Sequence, residues 1–76
     1  MQFREKKWLL EFGKNLKKVR AEVKYTQEQL AYESGLSLSQ IARIETGARN
    51  PTLCTILVIA KTLKIEPSAL FLSKFK

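Results

Sequence analysis

A single glycine, Gly35, stands between two short segments whose apolar residues recur at helical spacing, within the stretch TQEQLAYESGLSLSQIARIETGARNP from Thr26 to Pro51. Thr26 reads as an N-cap, its hydroxyl placed to bond an orphan backbone N–H. Gln29, three residues on, predicts a capping box there. The first helix of the pair covers Gln27 to Ser34, with Leu30 and Ala31 inward. Gly35 ends it in the left-handed conformation that glycine adopts without penalty, and Leu36 follows as a buried hinge residue. Ser37 caps the next helix, about Leu38 to Thr46, with Ile41 and Ile44 facing in and Gly47 as its stop. Two helices joined by so tight a bend cannot lie side by side along their whole length. The second is carried outward, and its outer face holds Ser37, Leu38, Ser39 and Ala42, flanked by Arg43 and Arg49. That face is thinly charged for a chain of formal net charge +7.

The rest of the chain keeps the same periodicity. Leu9, Phe12, Leu16, Val19 and Val23 step by three and four and predict a helix from about Glu5 or Lys7 to Val23. Pro51 and Thr52 start another, about Leu53 to Leu63, with Leu53, Ile56, Ile59, Ala60 and Leu63 inward; Ile65 fills the next turn. Pro67 suits the first turn of a fifth helix, about Pro67 to Leu72, carrying Leu70 and Phe71. Nothing alternates with the period of two that marks strands. The expectation is an all-α, compact five-helix single domain over residues 1–76.

Composition removes whole classes of chemistry. The chain has no histidine and no aspartate; its seven acidic residues are all glutamate, and its one cysteine is Cys54. A nucleophilic triad has no base, and a structural metal site has one thiolate for its whole supply. No catalytic residue, metal site or cofactor is expected, and the chain is not read as an enzyme. A lone cysteine makes no internal disulfide. Fourteen Lys and Arg against seven Glu point to a polyanionic partner, either nucleic acid or an acidic membrane surface, the plainer reading being solubility charge. No apolar run reaches the length of a membrane span, and the N-terminal apolar patch is too short for a signal peptide, so a cytoplasmic location is expected.

Further residues fit one pattern. Ala31 is small where the two helices cross, Gly35 permits the turn, and Leu30, Leu36, Ile41 and Ile44 make the core between them. Gln27 leads the pair and Glu45–Thr46–Gly47 trails it. With these features the chain resembles the phage repressor and Cro (XRE-type) family, the lambda-repressor-like helix-turn-helix regulators, from about Phe12 to Phe71. The run IETGARNPTL, Ile44 to Leu53, is also similar to the restriction–modification controller proteins within that family. The helix-turn-helix proper would span about residues 27–46, with residues 1–11 as an N-terminal extension.

The resemblance implies roles. Gln27 would bond a DNA phosphate at a helix N-terminus, where partial positive charge also sits. Ser37, Leu38, Ser39 and Gln40 would touch base edges, with Arg43 one turn on. Arg49 and Asn50 would contact backbone or a neighbouring base, and Thr26 and Thr46 join the expected DNA-binding set. Short side chains let such a face enter a groove about 12 Å wide. Arg43 or Arg49 could grip a guanine in two-pronged fashion; Leu38 could meet a thymine methyl or pack on the neighbouring helix. Arg20 and Glu45 resemble a pair that is ion-paired in this family. The implied function is a sequence-specific double-stranded DNA-binding regulator, a homodimer on a palindromic operator. The alternatives are an antitoxin, a protein-only adaptor, or a membrane-surface binder using Trp8.

Three features depart from the family. Lys24 stands where the family usually has glycine, so the first helix is expected to end differently. Phe3 and Trp8 are too apolar for a bare tail. Cys54, Leu57 and Val58 form a second apolar stripe, to be covered either by the N-terminal extension or by another subunit, with Leu70, Phe71, Leu72 and Phe75 nearby in sequence.

Overall fold

The computed structural model describes residues 6–71. In order they form α1 (Lys6–Glu22), α2 (Gln27–Ser34), α3 (Leu38–Glu45), α4 (Leu53–Leu63) and a 3₁₀ segment (Pro67–Phe71). There is no strand among the described residues. The all-helical expectation is met, but the count of five helices is corrected to four α-helices and one 3₁₀ segment. The reason is local: a five-residue piece opening on proline has room for i→i+3 bonds, such as Ala69 N–H to Glu66 O at 2.9 Å, and little else. Leu72, Phe75 and Phe3 lie outside the described residues.

The core is built from one face of each element. Phe12, Leu16, Leu30, Ala31, Ile41, Ile44, Ile59, Ala60, Leu63 and Leu70 are buried, with Val19, Val23, Leu36, Ile56 and Ile65 packed against them. Phe71 packs its ring against that of Phe12 in a tilted arrangement, centroids 5.2 Å apart. Asn15 is buried among these apolar groups, and its Nδ2 donates to Ala69 O at 2.9 Å, which ties α1 to the 3₁₀ segment. Gly13 sets the distance between α1 and α3: a Cβ there would overlap the carbonyl oxygens of Ile44 and Glu45 and come within 2.7 Å of the Glu45 carbonyl carbon. Neither residue stands out in a reading of apolar spacing.

Leu53 corrects the expected inward face of α4. It is 69% exposed. It points nearly the same way as Ala60, two turns on, but as the first residue of the helix it has no layer beneath it. Residues 6–11 continue α1, and Trp8 and Leu9 line a groove with Pro51 and Ile56. They do not cover Cys54, Leu57 and Val58, which are all exposed.

The helix ends also differ in part from expectation. Lys24 takes φ 63°, with its N–H on Ala21 O and the Tyr25 N–H on Arg20 O, both at 3.0 Å. This is the left-handed, glycine-type stop made by a lysine, so the substitution of lysine does not give α1 a different kind of end. Lys64 repeats the arrangement after α4, with φ 60°. The capping box expected at α2 is absent. Thr26 Oγ1 accepts the Gln29 N–H at 3.0 Å, but the Gln29 amide turns along the helix to Glu33 Oε2, 3.4 Å away, drawn by a carboxylate one turn on. The box forms at α3 instead.

Candidate nucleic-acid interface

The orientation of α3 starts at Gly35. Its φ is 81°, while a Cβ added there would meet no atom within 4 Å. Glycine is thus needed for the left-handed backbone and not for space. Ser37 then closes α3 reciprocally: its Oγ accepts the Gln40 N–H at 3.0 Å and its own N–H goes to Gln40 Oε1 at 3.0 Å. Two orphan donors are satisfied at the end of the helix that would lead into a groove. At the other end Gly47, φ 78°, sends its N–H to Ile44 O, and the Ala48 N–H reaches Arg43 O at 2.9 Å. Both ends of an eight-residue helix are therefore fixed by hydrogen bonds.

Between those ends the helix is sharply two-sided. Ile41, Ile44 and Glu45 are buried. Ser37, Leu38, Ser39, Arg43 and Thr46 are exposed, and Gln40 and Ala42 are half-buried at the margin. Leu38 keeps 44% of its surface open, so it is not consumed by packing on a neighbouring helix. Arg49 and Asn50 follow in the exposed loop, and Asn50 also borders the groove lined by Trp8 and Pro51.

Glu45 anchors the inner side. Its carboxylate, 3% exposed, receives Arg20 Nε at 2.6 Å and Nη2 at 3.1 Å, and Gln27 Nε2 at 2.8 Å. Arg20 Nη1 donates to Tyr25 O at 2.7 Å. The hydrogen bond that Arg20 donates to Glu45 outweighs the cost of burial and holds the guanidinium above its ordinary pKa. The expected pair is present, two-pronged, and it joins α1, α2 and α3 through one carboxylate. Gln27 reaches inward: one amide N–H is given to Glu45, so any phosphate contact would use the remaining N–H or the helix backbone. Thr26 likewise spends its hydroxyl oxygen as a cap.

The expected residues therefore fall into one exposed surface made by α3 and its loop, with Thr26 and Gln27 at the start of α2 beside it. A groove at that edge was not anticipated from sequence; it is lined by Lys17, Arg20, Lys24, Thr26, Gln27 and Glu28 among others. The available signal was the pair Lys17, in the later turns of α1, and Lys24, just past its end. Among the described residues no group of His, Cys or Glu side chains could hold a metal ion, and no helix is long and apolar enough to cross a membrane.

The family model described as helix-turn-helix, HTH_3, matches residues 16–70. The chain belongs to that family. The immunity repressor protein of Bacillus phage phi105 is 43% identical over 58 residues, 76% of this chain and 40% of that one. The chain thus spans about two fifths of the repressor's length. The restriction–modification controller protein C.AhdI from Aeromonas hydrophila is similar in structure, with a TM-score of 0.83 and 42% identity over 86% of this chain and 98% of that one. The controller protein C.Esp1396I, solved as a tetramer with its natural 35 base-pair operator, has a TM-score of 0.76 and 36% identity, covering 83% of each chain.

Proposed function

We propose that this chain is a sequence-specific double-stranded DNA-binding transcriptional regulator, in which the outer face of α3 enters the major groove. The observation that carries the reading is the exposed, sparsely charged face of Ser37, Leu38, Ser39 and Arg43, with Ala42 at its margin, on a helix capped at both ends. Small side chains permit close approach, and in this reading the exposed Arg43 grips a guanine edge. Arg49 and Asn50 serve the backbone, and Thr26 and Gln27 the phosphate at the start of α2. A net charge of +7 supplies the non-specific attraction.

One helix of this length reads too few base pairs for selectivity. The reading therefore includes a homodimer on a palindrome, with half-sites about 34–36 Å apart. The stripe on α4 is the proposed contact: Leu53, Cys54, Leu57 and Val58 are all exposed on a helix that otherwise packs inward. The likeness to C.AhdI over 98% of that chain favours the narrower role of a restriction–modification controller. Selection of bound duplexes from a random pool tests the proposal. A two-fold symmetric consensus is expected; recovery of no preferred sequence contradicts it.

A further inference from the structure

We propose that the groove between the end of α1 and the start of α2 holds a DNA phosphate, with Lys24 as the side chain that binds it. This rests on the DNA-binding reading above. The charges in the groove leave Lys24 and Lys17 to act. Arg20 is committed to Glu45 and to Tyr25 O, and the Gln27 amide is committed to Glu45. With Arg20 and Glu45 cancelling, the lining keeps two lysines against one carboxylate, Glu28. Among the described residues neither Lys17 nor Lys24 is ion-paired, and both are exposed.

The groove lies at the start of α2, where Gln27 lines it and its amide donates to Glu45 on the inner side of α3 at 2.8 Å. With α3 in a major groove, the sugar–phosphate strand bordering that groove runs past this edge, since the first helix of such a pair crosses the backbone. An ammonium there neutralises one phosphate. It fixes register and carries no base information.

The stop at Lys24 gives the test an internal check. Lysine at φ 63° is strained and glycine is not, so Lys24→Gly removes the charge while relieving the backbone. The full chain is titrated with its selected duplex and with an unrelated duplex over a series of salt concentrations, and its melting temperature is measured. Lys24→Gly should melt no lower than the wild type yet bind both duplexes about fivefold more weakly at 0.15 M salt, with the salt slope shallower by about 0.9. Lys24→Arg should restore affinity and slope. Lys64→Gly, with the same backbone but away from the groove, should leave both unchanged. Wild-type affinity and slope in Lys24→Gly overturn the inference, as does a loss confined to the selected duplex. A wild-type chain that binds no duplex refutes the DNA-binding reading itself, before any variant is compared.

Discussion

At the scale of single residues, the backbone makes demands that side-chain chemistry does not reveal. Gly13 and Ala differ by one methyl, and in a free helix Ala is favoured by about 0.8–1.0 kcal/mol. Here that methyl would run into backbone carbonyls of α3, which cannot swing aside as a side chain can. Gly13→Ala should therefore destabilise the fold by at least about 1–3 kcal/mol in urea unfolding; a gain in stability would show that α1 and α3 are not held at this distance. Lys64 is the opposite case. Its φ of 60° disfavours any residue with a Cβ. Lys64→Gly should stabilise by up to about 1 kcal/mol, the handedness cost of about 1–2 less glycine's entropy. Tyr25 offers a pH signature. Its hydroxyl donates to Glu33 Oε1 at 2.8 Å, and that bond, foremost, raises the phenol's pKa. The bond stabilises at pH values below the unfolded phenol's pKa and is lost as pH rises through the higher folded value. In a Tyr32→Phe background, Glu33→Gln should shift the ultraviolet ionisation midpoint down; no movement would show that the bond does not persist in solution.

At the scale of elements, α3 is held by its two caps and by one buried carboxylate. Removing Glu45 leaves Arg20 shielded without its counter-charge. Glu45→Ala should cost about 3–5 kcal/mol, toward the lower end because Arg20 keeps its bond to Tyr25 O. Replacing both ends, Arg20→Met with Glu45→Leu, should recover much of the loss in thermal melts. If the double variant is as unstable as the single, the ion pair is not the source of the deficit. Most element bounds were legible in the sequence, because caps and apolar spacing are local. Thr26, Ser37 and Thr52 each mark a helix start by their own chemistry. Two things depended on more than that. Thr26 and Ser37 are each followed three residues later by glutamine, yet only Gln40 turns back, because Glu33 draws Gln29 along α2. Leu53 has the right phase to be inward but lies past the edge of the layer it would pack on. Of the site, the outward face and the Arg20–Glu45 pair could be read in advance, the pair through family likeness. The inward commitment of Gln27 and the groove at Lys24 could not, since both arise where α1, α2 and α3 meet.

At the scale of the whole molecule, the proposed reading face and the apolar stripe proposed for pairing lie on different helices. The proposed reader is α3, and the exposed apolar residues Leu53, Leu57 and Val58 belong to α4. If α4 pairs two copies, Leu57→Lys should convert dimer to monomer in sedimentation and weaken operator binding far more than binding to a single half-site. Equal losses on both would place the lysine's effect elsewhere. The central claim is that α3 presents its outer face to DNA, and amide shift mapping by NMR with the selected duplex tests it most directly. The largest changes are expected from Ser37 to Arg43 and at Thr46, Arg49 and Asn50, with Lys24 to Gln27 moving as well. Changes concentrated on Leu53 to Val58 or on the first turns of α1, with α3 undisturbed, would contradict it.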